Sequence, residues 1–185
     1  MTNAIQNFDA GALLFIQENL RIPLMDAFMV FITKLGDIGF IWITIGLVLL
    51  VPKKTRRRAF NILICLLSAY LINDLLIKEL VARPRPYDTI GDLSILVKPL
   101  SSYSFPSGHS SSSFAAALAL TLAFGRKGAL SYIPAVLIAF SRCYVGVHYP
   151  SDVLGGALVG TLVTLATYKL LDRYIKSDLI PKKKT

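Results

Sequence analysis

From Ala59 to Leu80 the chain runs without a charged residue until Asp74. The run is about as long as the ~20 residues a helix needs to cross a hydrocarbon core of ~30 Å. In lipid no water is present to pair the backbone, so such a segment has to be helical. Comparable runs recur at Leu24–Val51, Ser107–Phe124, Ala129–Val147 and Asp152–Leu171. Apolar residues make up 54% of the 185 positions and the mean hydropathy is +0.59, above the ~45–50% apolar share of ordinary soluble domains. The predicted fold class is therefore all-α, an integral membrane bundle in one domain spanning 1–185.

The span count depends on Leu24–Val51, which is interrupted by Lys34, Gly36, Asp37 and Gly39. Reading the interruption as a reversal at Leu35–Gly39 gives two short spans and a total of six transmembrane helices; a single tilted span is the alternative. Phe8–Leu20 is too short to cross and carries Asp9, Gln17 and Glu18, which predicts an N-terminal interfacial helix. The first residues lack the basic segment and small-residue cleavage site of a signal peptide, so they are expected to belong to the mature chain.

The net charge of +9 is concentrated at the ends of the apolar runs: Lys53, Lys54 and Arg56 to Arg58, then Arg126 and Lys127, then Lys169, Arg173, Lys176 and Lys182 to Lys184. This is the pattern of cytoplasmic loops. With no nucleic-acid-binding motif beside it, it excludes that class of partner. The expected orientation puts both termini in the cytoplasm. Lys34, Lys78, Arg83, Arg85, Lys98 and Arg142 fall on the opposite side. Cys65 and Cys143 form neither a metal-ligand spacing nor a disulfide framework and are expected to be free thiols.

The remaining polar residues gather in three places. Lys78 is followed after six residues by Arg85-Pro86; Pro106-Ser107-Gly108-His109 opens an apolar run; and Ser141-Arg142 precedes His148, which precedes Asp152 by four residues. The spans put all three on one side of the membrane. Lys78, Arg85 and Arg142 supply a point charge and two planar forks for a phosphate. Ser107 and Gly108 open a helix whose free N–H groups favour an anion. A neutral His148 can attack phosphorus with Asp152 holding its tautomer, and His109 can protonate the leaving oxygen. Taken singly, each piece has a plainer reading: His109 or Ser151-Asp152 as a helix cap, and Asp74–Lys78 as an i,i+4 pair closing a helix.

Together these pieces resemble the three signature motifs of the type 2 phosphatidic acid phosphatase superfamily, which is related to the vanadium haloperoxidases. The resemblance implies that Lys78, Arg85, Ser107, Gly108 and Arg142 bind phosphate, that His148 is the nucleophile oriented by Asp152, and that His109 is the general acid. It implies no metal and no other cofactor. The expected partners are the bilayer and a lipid phosphate substrate, with no obligate protein partner. Bacterial members commonly act at the outer face of the cytoplasmic membrane, on undecaprenyl diphosphate and phosphatidylglycerophosphate among other lipids. Some undecaprenyl-diphosphatases of the superfamily carry Asp where this chain has Gly108, so the pattern resembles the broader lipid phosphatases at least as well. Lipid phosphotransfer through the same intermediate, and a non-enzymatic transporter or scaffold, are the alternatives. The related peroxidases are soluble, unlike this chain.

Overall fold

The computed structural model describes residues 3–179 and the side chains of residues 4–171. The basic positions beyond them, Arg173, Lys176 and Lys182 to Lys184, and the expected cytoplasmic C-terminus lie outside the described side chains. Among the described residues every regular element is helical. In chain order these are α1 (Asn3–Asn19), α2 (Pro23–Leu35), a 3₁₀ turn (Asp37–Gly39), α3 (Phe40–Leu50), α4 (Arg56–Tyr70), a π-helical stretch (Leu71–Ile77), α5 (Lys78–Val81), α6 (Pro86–Thr89), α7 (Gly108–Phe124), α8 (Arg126–Ala129), α9 (Tyr132–Tyr144) and α10 (Pro150–Leu179).

Helix α7 is the axis of the bundle and packs against α10, α9 and α4. It can be central because it is thin: Ser110, Ser111, Ser113, Ala115, Ala116, Ala117 and Ala119 are all buried. Small side chains let helix backbones approach closely. On the facing helix, Gly156 and Gly160 lie against the backbone carbonyls of Ser107 and Ser111, where a Cβ would collide with main chain. The GxxxG spacing is thus a packing face. Trp42 of α3 fills the other flank, buried, and donates its indole N–H to Ser113 Oγ at 2.9 Å.

Large apolar side chains face outward instead. Leu154, Leu158, Leu162 and Leu165 line one exposed side of α10, and Phe60, Leu67, Leu71 and Leu75 are exposed along α4 and its continuation. A surface this apolar is a lipid-facing one. Arg56–Thr89 and Pro150–Leu171 are each long and apolar enough to cross a membrane, and α2 with α3 would add a third such segment.

Two expectations about the first third of the chain are corrected. The chain does not fold back at Leu35–Gly39; α2 and α3 meet at a bend of 48°. Ile38 (φ 55°) and Gly39 (φ 71°) are both left-handed, which breaks the helix and redirects it without reversing it. The N-terminus, moreover, does not sit with the Lys53–Arg58 turn. Gln17 donates to Asp92 O at 2.9 Å and Arg21 Nη2 to Tyr144 O at 2.9 Å, so α1 lies across the end of the bundle that carries the three motifs.

Candidate active site

Each motif reaches this end of the bundle by a different structural device. Lys78 follows the π-helical stretch, where its own N–H bonds Asn73 O, five residues back. One extra residue is thereby absorbed in the helix, a feature that recurs at functional sites. Lys78 is buried, with Nζ 2.5 Å from Asp74 Oδ1. Ser107 caps α7. Gly108 is needed for closeness, since a Cβ there would stand 2.8 Å from Asp74 Oδ1. Arg142 sits in the last turn of α9, and His148 follows in the short link to α10, whose first turn holds Asp152.

His148 is only 2% exposed. Its Nε2 lies 3.3 Å from Arg85 Nη1 and its Nδ1 3.5 Å from Asp152 Oδ2. With Arg85 able only to donate, Nε2 is assigned as the unprotonated nitrogen and Nδ1 as the protonated one; Nδ1 faces the carboxylate but makes no hydrogen bond to it. Burial, and then the positive charges of Arg142, Arg85 and Lys78, holds this imidazole well below its ordinary range. It is therefore a neutral base at physiological pH, its Nε2 lone pair facing the Arg85 donor.

Arg85 spends the rest of its fork on the protein. It donates to Ser102 O (2.7 Å), Val147 O (2.8 Å), Ser102 Oγ (3.1 Å) and Tyr103 O (3.1 Å), tying the 99–105 loop to the His148 link. Arg142 is more open-handed. Its Nη1 donates to Thr33 Oγ1 at 2.5 Å, while Nε is buried without a partner. An orphaned cationic donor in the interior is costly and calls for an anion. Ser110 Oγ and Ser111 Oγ, one turn into α7, are likewise unpaired.

His109, in the first turn of α7, has Nε2 3.0 Å from Asp37 Oδ1 in the α2–α3 bend. Three residues that sequence reasoning left without a task turn out to be structural partners. Asp37 meets His109, Ser104 donates to Asp152 Oδ2 at 2.5 Å, and Arg83 bridges Asp152 and Asp9. Arg83, two residues before Arg85, and Ser104, two before Pro106, lay close enough to a motif to be suspected; Asp37 did not. A cavity of about 550 Å³ is bounded by Arg83, Thr89 and Tyr149 and by neither histidine, so the candidate site is identified by its side chains rather than by volume.

The arrangement is a neutral imidazole lone pair inside a ring of buried cations, which is suited to accepting a tetrahedral dianion. Comparison with known proteins agrees. The chain is 31% identical over 151 residues to an undecaprenyl-diphosphatase of Sulfolobus acidocaldarius, covering 81% of this chain and 72% of that one. It is 34% identical over 176 residues to phosphatidylglycerophosphatase B of Bacillus subtilis, covering 88% and 82%. Among solved structures, the PAP2-type phosphatidylglycerolphosphate phosphatase of Bacillus subtilis superposes with a TM-score of 0.72 at 28% identity, over 98% of this chain and 90% of that one. LpxE of Aquifex aeolicus gives 0.75 at 28% identity over 88% and 95%. The family model of the PAP2 superfamily matches residues 58–176, and the chain belongs to that superfamily.

Proposed function

We infer that this protein is a membrane lipid phosphatase that removes the terminal phosphate of a lipid phosphate or diphosphate. The observation that carries the reading is the pairing of a buried, neutral His148 with Arg85 on one ring nitrogen and Asp152 facing the other. In this reading the substrate phosphate enters between Arg85, Arg142 and Lys78, with Ser107 and Gly108 at the start of α7. Its oxygens take the Arg85 donor that otherwise covers His148 Nε2, and the orphaned Arg142 Nε as well. Nε2 attacks phosphorus, the N–P bond forms as the P–O bond to the lipid breaks, and His109 gives its proton to the departing oxygen. Asp152 balances the positive charge that develops on the imidazole. Water then attacks the phosphohistidine, the N–P bond breaks, and His109 recovers a proton. Fixed cations stabilise the charge on the equatorial oxygens, which is the larger part of phosphoryl-transfer catalysis. No step is routed through a metal ion.

The outer face of the cytoplasmic membrane is the proposed location of the site, because the Lys53–Arg58 and Arg126–Lys127 turns carry the basic residues that favour the cytoplasm. With α2 and α3 as one bent segment, we count five crossings: α2–α3, α4–α5, α7, α9 and α10, with α1 lying on the site side. Phosphate release by the purified protein, measured across undecaprenyl diphosphate, phosphatidylglycerophosphate, phosphatidate and diacylglycerol pyrophosphate, tests the function. Release from at least one lipid, abolished by His148→Ala, is expected. Wild-type protein inert on the whole panel, or full activity in His148→Ala, overturns the reading.

A further inference from the structure

Behind Asp152 is a second layer of charge that no motif accounts for. Arg83 is 7% exposed, and Asp9 and Asp152 are completely buried. Arg83 Nη1 donates to Asp152 Oδ1 at 2.5 Å and to Ser151 Oγ at 2.7 Å, while Nη2 donates to Asp9 Oδ2 at 2.8 Å. Asp9 also accepts from the Ser151 N–H at 3.0 Å and from Ser151 Oγ at 2.5 Å. The guanidinium carbon lies over the Tyr149 ring, 3.8 Å from its centre. Asp9 belongs to α1 and lies far upstream of residues 58–176, the stretch matched to the family.

We propose that Arg83 and Asp9 are positioning residues for the reaction, acting on His148 through Asp152. The charges give the reason. Asp152 must stay ionised while completely buried, and such a charge survives only when paired. Arg83 supplies the pair and turns Oδ2 toward His148. A lone arginine, however, would neutralise Asp152 and leave nothing with which to balance the imidazole as it becomes positive. Asp9 takes the other side of the fork, so two carboxylates share one cation and the cluster keeps one net negative charge for His148. The N-terminal helix thus becomes part of the catalytic apparatus through one carboxylate 139 positions before the nucleophile in the sequence.

The inference rests on the phosphohistidine reading, and the test separates the two. Asp9→Asn, Arg83→Met, Arg83→Lys and the double variant Asp9→Asn/Arg83→Met are compared in detergent with His148→Ala as the control for that reading. Loss of such an outer partner typically costs ~10- to 100-fold. Asp9→Asn should lose kcat in that range, while KM and inhibition by inorganic phosphate change less than about threefold. Lys78, Arg85 and Arg142 are untouched, and a loss that merely reflected poor folding would lower the active fraction and the labelled phosphoenzyme at saturation, not the turnover per phosphoenzyme-competent molecule. In Arg83→Met two buried carboxylates confront each other without a cation, so adding Asp9→Asn should restore activity partly rather than multiply the loss. Such non-additivity marks residues that act as one unit. Arg83→Lys, a point charge that cannot fork, should also be impaired. The proposal is overturned if Asp9→Asn or Arg83→Lys turns over like wild type while His148→Ala is dead, or if the two single losses simply multiply. If Asp9→Asn does not accumulate, the Arg83→Lys result alone decides. Activity in His148→Ala would sink the underlying reading instead.

Discussion

His148 Nε2 and Arg85 Nη1 lie 3.3 Å apart, so in the proposed reaction the lone pair that reaches phosphorus is covered by the residue that holds the phosphate. Binding and unveiling the nucleophile are then one event: the arriving oxygen takes the N–H and leaves the lone pair free. Arg85→Lys should not be conservative, because Lys cannot also hold Ser102, Tyr103 and Val147. Phosphate release should fall by ~100-fold or more, the scale of losing one oriented donor. Steady-state kinetics on a short-chain lipid phosphate would check this, and a Lys variant within tenfold of wild type would refute it.

The two histidines should separate by leaving group. A general acid contributes ~10²- to 10⁴-fold, and most where the leaving oxygen is a poor one. His109→Ala should be severely impaired on a lipid monoester and recover substantially on a nitrophenyl phosphate. His148→Ala should be inactive on both. Brief exposure to labelled substrate should trap an acid-labile, alkali-stable phosphoenzyme in His109→Ala and none in His148→Ala. The opposite pattern of rescue would exchange the roles.

The depressed basicity of His148 is directly visible, since the chain has two histidines. Selective ¹³C labelling should give two imidazole resonances, assigned by replacing each residue in turn. At about pH 6, where an ordinary imidazole with a pKa near ~6.5 is mostly protonated, His148 should still be neutral. The thermodynamic sign follows. Between the folded value and ~6.5 the unfolded chain binds a proton that the folded protein refuses, so this residue makes stability rise with pH across that window and fall as pH drops through it. A His148 signal titrating at or above the ordinary value would contradict the geometry.

Gly108 and Gly160 should fail in different ways. A methyl group at Gly108 meets Asp74 Oδ1, the movable end of a side chain, so Gly108→Ala should disturb the Asp74–Lys78 pair and raise KM with the fold intact. At Gly160 the obstacle is the Ser111 carbonyl, which cannot move without displacing α7. Gly160→Val should therefore cost about 3 kcal/mol or more, the upper end of overpacking effects. Thermal midpoints in detergent, read beside KM, would distinguish the two.

Orientation can be read with single cysteines in a background lacking Cys65 and Cys143. Cysteines at Gln6 and Ser94 should react with an impermeant reagent added to intact cells, and one at Lys127 should not. Labelling at Lys127 and Ser94 together would break the arrangement, and labelling at Lys127 alone would invert it.

The residues proposed to bear the chemistry were legible because each motif is short. Lys78 and Arg85, or His148 and Asp152, lie within one or two helical turns, and their spacing survives in the linear chain. The cluster Asp9–Arg83–Asp152 was not, because its members are separated by long stretches and each looks alone like an interfacial charge. The bend at Gly36–Gly39 was misread for a related reason. A polar interruption in an apolar run has the same composition whether the chain reverses toward water or bends inward to present a side chain. Here the bend brings Asp37 to His109, and the polarity serves that contact.

The π-helical stretch before Lys78 acts as a rotary joint. Its extra residue advances everything downstream by about 100° relative to an unbroken α-helix. Deleting one residue between Leu71 and Ile77 would relax the stretch to ordinary helix and leave Lys78 pointing nearly where it does now, whereas drawing the full sequence into unbroken α-helix would turn Lys78 away from the site by that angle. Conversely, the portion of α4 below the joint can be lengthened or shortened by whole turns to suit a thicker or thinner bilayer without altering where the lysine points. Membrane thickness and phosphate recognition are in this way adjustable along the same helix independently.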